Sequence, residues 1–136
     1  MFVRLVFPLL CVVGLVSAQC PAGNDHRRLT GAWGGDGIGL IVAAEKATVS
    51  YTCGRTTIDG RIALDGDQRF EGMGEHERVG GAPPREGVAP ERQRSHVSGR
   101  IRSGVMTMTV RLTDLNQTVG TFALTRRTAA SILPCP

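Results

Sequence analysis

The side chains able to do chemistry gather at two places, Glu75-His76-Glu77-Arg78 and then Arg92, Arg94 and His96. If the chain between them doubles back, His76 and His96 meet with carboxylates beside them, an arrangement that can hold a metal ion or move a proton. That reading leads to a metal-assisted hydrolase. The competing reading is a pair of loop ends carrying solvated ion pairs, which contribute little. Spacing speaks against familiar machinery: His76-Glu77 is followed by Arg78-Val79-Gly80, so there is no His-Glu-x-x-His helix. Neither a Gly-x-Ser-x-Gly elbow nor a phosphate-binding glycine loop occurs. With three histidines in the chain, a histidine-built metal site has little to draw on. Asp36, between Gly35 and Gly37, reads as a turn residue. No catalytic residue, metal site or cofactor is expected. The candidate ligand contacts are Trp33, Arg126, His76, Arg78, Arg85 and His96.

Short strands must position these residues. Leu29 to Gly35 carries the only tryptophan and reads as the first strand, with Leu29, Gly31 and Trp33 on one face. Ile38, Leu40 and Val42 follow, Glu45-Lys46 turns the chain, and Ala47, Val49, Tyr51 and Cys53 then alternate with Thr48, Ser50 and Thr52. Thr56 to Ile58 is extended. Asp59-Gly60 predicts a two-residue hairpin into Arg61 to Leu64, and Asp65-Gly66-Asp67 leads to Arg69 to Glu77. From 77 to 95 the periodicity vanishes among Gly80-Gly81, Pro83-Pro84, Gly87 and Pro90, which predicts a long surface loop carrying specificity. Alternation resumes with Val97, Gly99 and Ile101, opposite His96, Ser98 and Arg100. Ser103-Gly104 then turns the chain into Met106, Met108, Val110 and Leu112. Asp114 to Gln117 makes a last turn before Thr118 to Arg126, with Phe122 and Leu124 inward. No long 3.6-residue period appears. Seven to eight strands joined by hairpins predict an all-β antiparallel meander, closed as a barrel or packed as a tight sandwich.

The chain has 136 residues and a formal net charge of +4. Arg4, the apolar run Leu5 to Leu15 and Val16-Ser17-Ala18 read as a secretory signal over 1–18. A flexible lead over 19–28 follows, and then a single β domain over 29–136. The implied location is exported, periplasmic or extracellular. Arginines are scattered among acids along the chain, which is not a nucleic-acid profile. Of four cysteines, Cys11 leaves with the signal, and Cys20, Cys53 and Cys135 remain. In an exported protein the sensible pairing is Cys53 with Cys135, tying the tail to the body. Cys20 is left over at the place where a bacterial lipoprotein carries its lipid. Gln19 stands where that signal has a small residue, so lipidation at Cys20 and ordinary cleavage after Ala18 both stay open. A membrane contact is expected only with lipidation.

Gly31-Ala32-Trp33 at the start and Thr121-Phe122-Ala123-Leu124-Thr125-Arg126 at the end resemble the calycin superfamily of lipocalins and avidins. The resemblance implies a barrel with an arginine laid across the first-strand indole, here Arg126 over Trp33. The avidin biotin residues have no counterparts. A wider pattern, running from Gly31-x-Trp33-Gly34-Gly35 through Cys53, Thr57-Ile58-Asp59, Met106 to Val110 and Gly120-Thr121-Phe122 to Cys135, resembles small exported bacterial proteins of unassigned function. It too implies the Cys53 to Cys135 pairing, and no activity.

The leading expectation is a non-catalytic module that holds a small ligand or docks an envelope protein partner through the Gly80 to Pro90 loop. The runner-up is an envelope structural or inhibitor protein. Inward Met106 and Met108 favour a filled core over a hollow one.

Overall fold

A computed structural model describes residues 27–80, 83, 85–89 and 91–136. The expected signal, most of the lead including Cys20, and loop positions 81, 82, 84 and 90 lie outside the described residues.

Alternating apolar side chains build ten strands: β1 (Arg27–Arg28), β2 (Gly31–Gly35), β3 (Ile38–Val42), β4 (Lys46–Tyr51), β5 (Gly54–Asp59), β6 (Ala63–Leu64), β7 (Arg69–Arg78), β8 (Arg92–Arg102), β9 (Val105–Leu112) and β10 (Gln117–Arg126). Eight of them close an antiparallel barrel in the order β10-β2-β3-β4-β5-β7-β8-β9. A barrel of this size is just wide enough for its own side chains to fill. Ile38, Leu40, Val49, Val97, Met106, Met108, Val110 and Leu124 are each no more than 1% exposed. The interior is therefore packed and not hollow, and any ligand must be met at an end or on the outer wall.

Two sequence expectations change. Asp59-Gly60 does not turn a hairpin: β5 pairs with β7, and β6 leaves the barrel to pair with β1. Arg27 and Arg28, expected in the flexible lead, form that partner strand. With Leu29 donating its N–H to the Ile62 carbonyl at 2.9 Å, this small sheet covers one end of the barrel. The second change shortens the long loop, because β7 runs on to Arg78 and β8 starts at Arg92. Outward charges face each other across this ladder, Glu77 opposite Arg92 and Glu75 opposite Arg94, while inward His76, Gln93 and Ser95 are polar. A strand without apolar alternation is invisible to a hydrophobic pattern.

The covered end holds Trp33, 6% exposed. Its indole N–H donates to the Thr30 carbonyl at 3.2 Å. Arg126 brings its guanidinium carbon to 5.9 Å from the ring centroid, within the range of a cation–π contact. The closing seam is short, with β10 and β2 in register only at Thr125 opposite Gly34 and Arg126 opposite Trp33.

Beyond β10 the chain reverses at Arg127, φ 58°, and lies against the outer side of β2. Arg127 donates to the Ala32 carbonyl at 2.8 Å and Ser131 to that of Gly35 at 3.1 Å, while Gly37 donates to the Ser131 carbonyl at 2.8 Å. The strap ends in the Cys53–Cys135 disulfide at the far end of the barrel. Gly34 makes the close approach possible, since a Cβ there would collide with the backbone of Thr128 and Ala129. Gly34→Ala is expected to cost about 1–3 kcal/mol, the range for overpacking a fitted contact, read as a lower urea midpoint at unchanged slope.

Candidate functional site

The open end of the barrel lies where β4 ends and β5 begins. Tyr51-Thr52-Cys53-Gly54 forms the turn, with Cys53 at φ 61°. Gly54 faces Tyr51 in register. A Cβ at that position would run into the tyrosine ring, so the glycine lets the ring fold inward over the barrel. On the next rung Thr56 faces His76 of β7. The three side chains form one polar chain. Tyr51 Oη lies 2.8 Å from Thr56 Oγ1 and also in hydrogen-bond contact with His76 Nδ1. The tyrosine and imidazole rings are parallel to within 4° at 5.6 Å, and Phe122 stacks with Tyr51 at 6.0 Å.

Burial pushes the Tyr51 phenol up from its usual pKa, with the Thr56 hydrogen bond acting in the opposite sense. Burial holds His76 below the ordinary histidine value. Both groups are neutral at pH 7. A neutral chain of this kind has two proton patterns. In one, Thr56 donates to Tyr51, Tyr51 donates to Nδ1, and Nε2 carries the histidine proton. In the other, Nδ1 donates to Tyr51, Tyr51 donates to Thr56, and Nε2 is an acceptor. Nε2 has no protein partner among the described residues, so the site can offer either a donor or an acceptor.

Above this chain opens a cavity of about 350 Å³. Tyr51, His76, Arg78 and Gln93 give it polar walls, Leu112 and Val119 an apolar one, and Cys53 stands at its rim. Ser95, fully buried opposite Leu112, has a hydroxyl with no partner, the kind of orphan polar group that needs an explanation.

The candidate residues read from the sequence are scattered. Trp33 and Arg126 sit at the covered end, His76 and Arg78 at the open end, and Arg85 in the loop between β7 and β8. His96 is on the outer wall, its Nε2 3.7 Å from Glu71 Oε2. His76 faces in, and its register partner is Gln93, whereas His96 is opposite Met73 and faces out. The two histidines therefore cannot share a metal or a substrate, which removes the geometry of the hydrolase reading. Among the described residues no three His, Cys, Asp or Glu side chains gather closely enough to hold a metal ion. Sequence reading missed Tyr51, Thr56 and Gln93 as site residues. The available signal was polar side chains at strand positions whose parity points inward.

The depressed His76 pKa has a consequence for stability. The folded state binds this proton less readily than the unfolded chain, so the His76 contribution is complete above the unfolded value near 6.5 and is lost as pH falls through the lower folded value. The wild-type melting temperature is expected to fall between pH 7 and pH 5. His76→Gln is expected to flatten that slope, as calorimetry across the range would read.

Compared with known proteins, the chain matches no family model, and neither a curated protein nor a solved structure resembles it significantly, so the geometry of this open end is itself the guide to function.

Proposed function

We propose that the protein is an exported, non-catalytic binding barrel that takes a small, partly apolar ligand at its open end. The observation that carries this reading is the Tyr51–Thr56–His76 chain at the base of a cavity of about 350 Å³. Its volume lies in the usual range for small-molecule sites, and a few convergent polar groups beside an apolar wall are what such sites use for orientation. Binding is favoured over catalysis because the hydroxyl in contact with the imidazole is the Tyr51 phenol, which burial keeps protonated, and the alcohol behind it, Thr56 Oγ1 at 3.4 Å from Nδ1, is fully buried and cannot reach a substrate. An exported location fits the disulfide, which persists in oxidising compartments. The calycin-like reading belongs to the same proposal: Gly31, Trp33 and Arg126 close one end and leave the other for the ligand. Arg85 and Glu91 place charged side chains in the loop at that open end, where specificity for the ligand or an envelope partner would be read.

The test is native mass spectrometry of the protein purified from its own host, alongside Gln93→Trp, which fills the cavity from β8. A bound small molecule is expected on the wild type and absent from the variant at an unchanged melting temperature. An adduct retained by Gln93→Trp, or none on the wild type, removes the reading.

A further inference from the structure

We propose a second site, on the outer wall of the barrel: a cationic groove across β7, β8 and β9 that binds a tetrahedral oxyanion, phosphate or sulfate. A concavity of about 450 Å³ lies there, lined by Arg69, Glu71, Ser98, Arg100, Arg102 and Thr107 among others. Strand register puts Arg69 directly opposite Arg100, and Arg100 opposite Thr107, so one outward row reads Arg, Arg, Thr. Like charges directly opposite one another in a sheet repel. Among the described residues no carboxylate lies within ion-pair distance of either guanidinium. Glu71, in the next row, lies toward His96, and the Asp65 carboxylate accepts the backbone N–H groups of Asp67 and Arg69 at 2.9 and 2.8 Å. Among the described residues none of Arg69, Arg100 and Arg102 is in an ion pair.

Arg100 carries the independent observation. Its Nε is buried and has no acceptor. A guanidinium held down on a sheet, stripped of part of its water and given no counter-charge, is an unfavourable arrangement on its own. An oxyanion in the groove supplies the missing charge. Guanidinium groups suit it because their planar N–H pairs match phosphate or sulfate oxygens two at a time. The Ser98 and Thr107 hydroxyls, neither bonded to another side chain among the described residues, add neutral donors. The site is on the outside of the wall and does not depend on the open-end cavity.

The experiment follows the arginine Nε–H resonances of the whole protein by NMR during titration with sodium phosphate and sodium sulfate, against sodium chloride at matched ionic strength. The Arg69 and Arg100 signals are expected to shift saturably with the oxyanions and not with chloride. R100Q is expected to weaken the affinity about tenfold, the effect of losing one charge-assisted contact, whereas R111Q, outside the groove, leaves it unchanged. R102Q serves as a second variant if R100Q does not fold. A parallel arm uses phosphatidylglycerol and phosphatidylcholine vesicles. Binding to the anionic vesicles alone, lost in R100Q or R102Q, makes the oxyanion a lipid phosphate, whereas saturable shifts with the free salts make it a soluble one. Shifts that follow ionic strength whatever the anion, variants that bind as the wild type does, or binding to neither salts nor vesicles would overturn the site.

Discussion

Replacing Cys53 and Cys135 together by alanine is expected to lower the stability of the barrel by about 4 kcal/mol, the chain-entropy value for opening a loop of this length. The bond joins residues separated by 82 positions, so in the unfolded state it closes a long loop and removes much of that chain's conformational freedom. For a domain of this size the loss corresponds to a drop of about 15 °C in melting temperature. The strap has other attachments, through Arg127, Ser131 and Gly37, but these are single backbone hydrogen bonds, each worth about 1 kcal/mol net. Calorimetry of the oxidised protein, the reduced protein and the double variant separates the possibilities. The last two should melt together, well below the first. If all three melt together, the tail is held by its hydrogen bonds and the disulfide is dispensable.

Trp33→Ala is expected to cost about 3–5 kcal/mol, the range for removing a buried indole and leaving a cavity. Trp33 joins the first and last barrel strands: its register partners are Leu40 on β3 and Arg126 on β10. The substitution thus empties the covered end and takes the ring from beneath the guanidinium in one step. Arg126→Gln, which leaves the indole in place, should cost only about 0.5–1 kcal/mol, as for other cation–π contacts near the surface. Urea midpoints of the two single variants and the double variant test the coupling. The double variant should be less destabilised than the sum, because the contact is lost only once. Additive losses would mean that Arg126 and Trp33 do not interact.

The fold was legible where inward residues are apolar. Ala47, Val49 and Tyr51 on β4 and Met106, Met108, Val110 and Leu112 on β9 show their inward face by parity alone, and they are the buried ones. It was illegible where the inward face is polar. His76, Gln93 and Ser95 carry β7 and β8 past the point at which the pattern stops, and their strand character rests on ladder pairing that no single segment displays. Asp59-Gly60 has the composition of a tight hairpin, but hairpin chemistry only permits a turn, and the partner of β5 is decided by which strand completes the barrel. The site followed the same logic. His96 was already placed opposite Val97, whereas the inward face of His76 went unread, although Phe70, of the same parity on β7, is the buried apolar residue that marks that face. The Tyr51–His76 contact needs β4, β5 and β7 to be neighbours in space, which is tertiary information.

The short seam between β10 and β2 also bears on how the chain reaches this state. The two strands are almost at opposite ends of the sequence, and the strap that pads their junction comes later still. Until β10 arrives, β2 and β9 are bare edges, each a template for pairing with another chain. Little of the closure can be formed locally, and chains dominated by such distant pairings fold in milliseconds to seconds, not microseconds. A chain emerging in order, from a ribosome or across a membrane, therefore stays an open and aggregation-prone sheet until Arg126 reaches Trp33. Closure of the barrel is thus a late event that waits on the last of its strands in chain order.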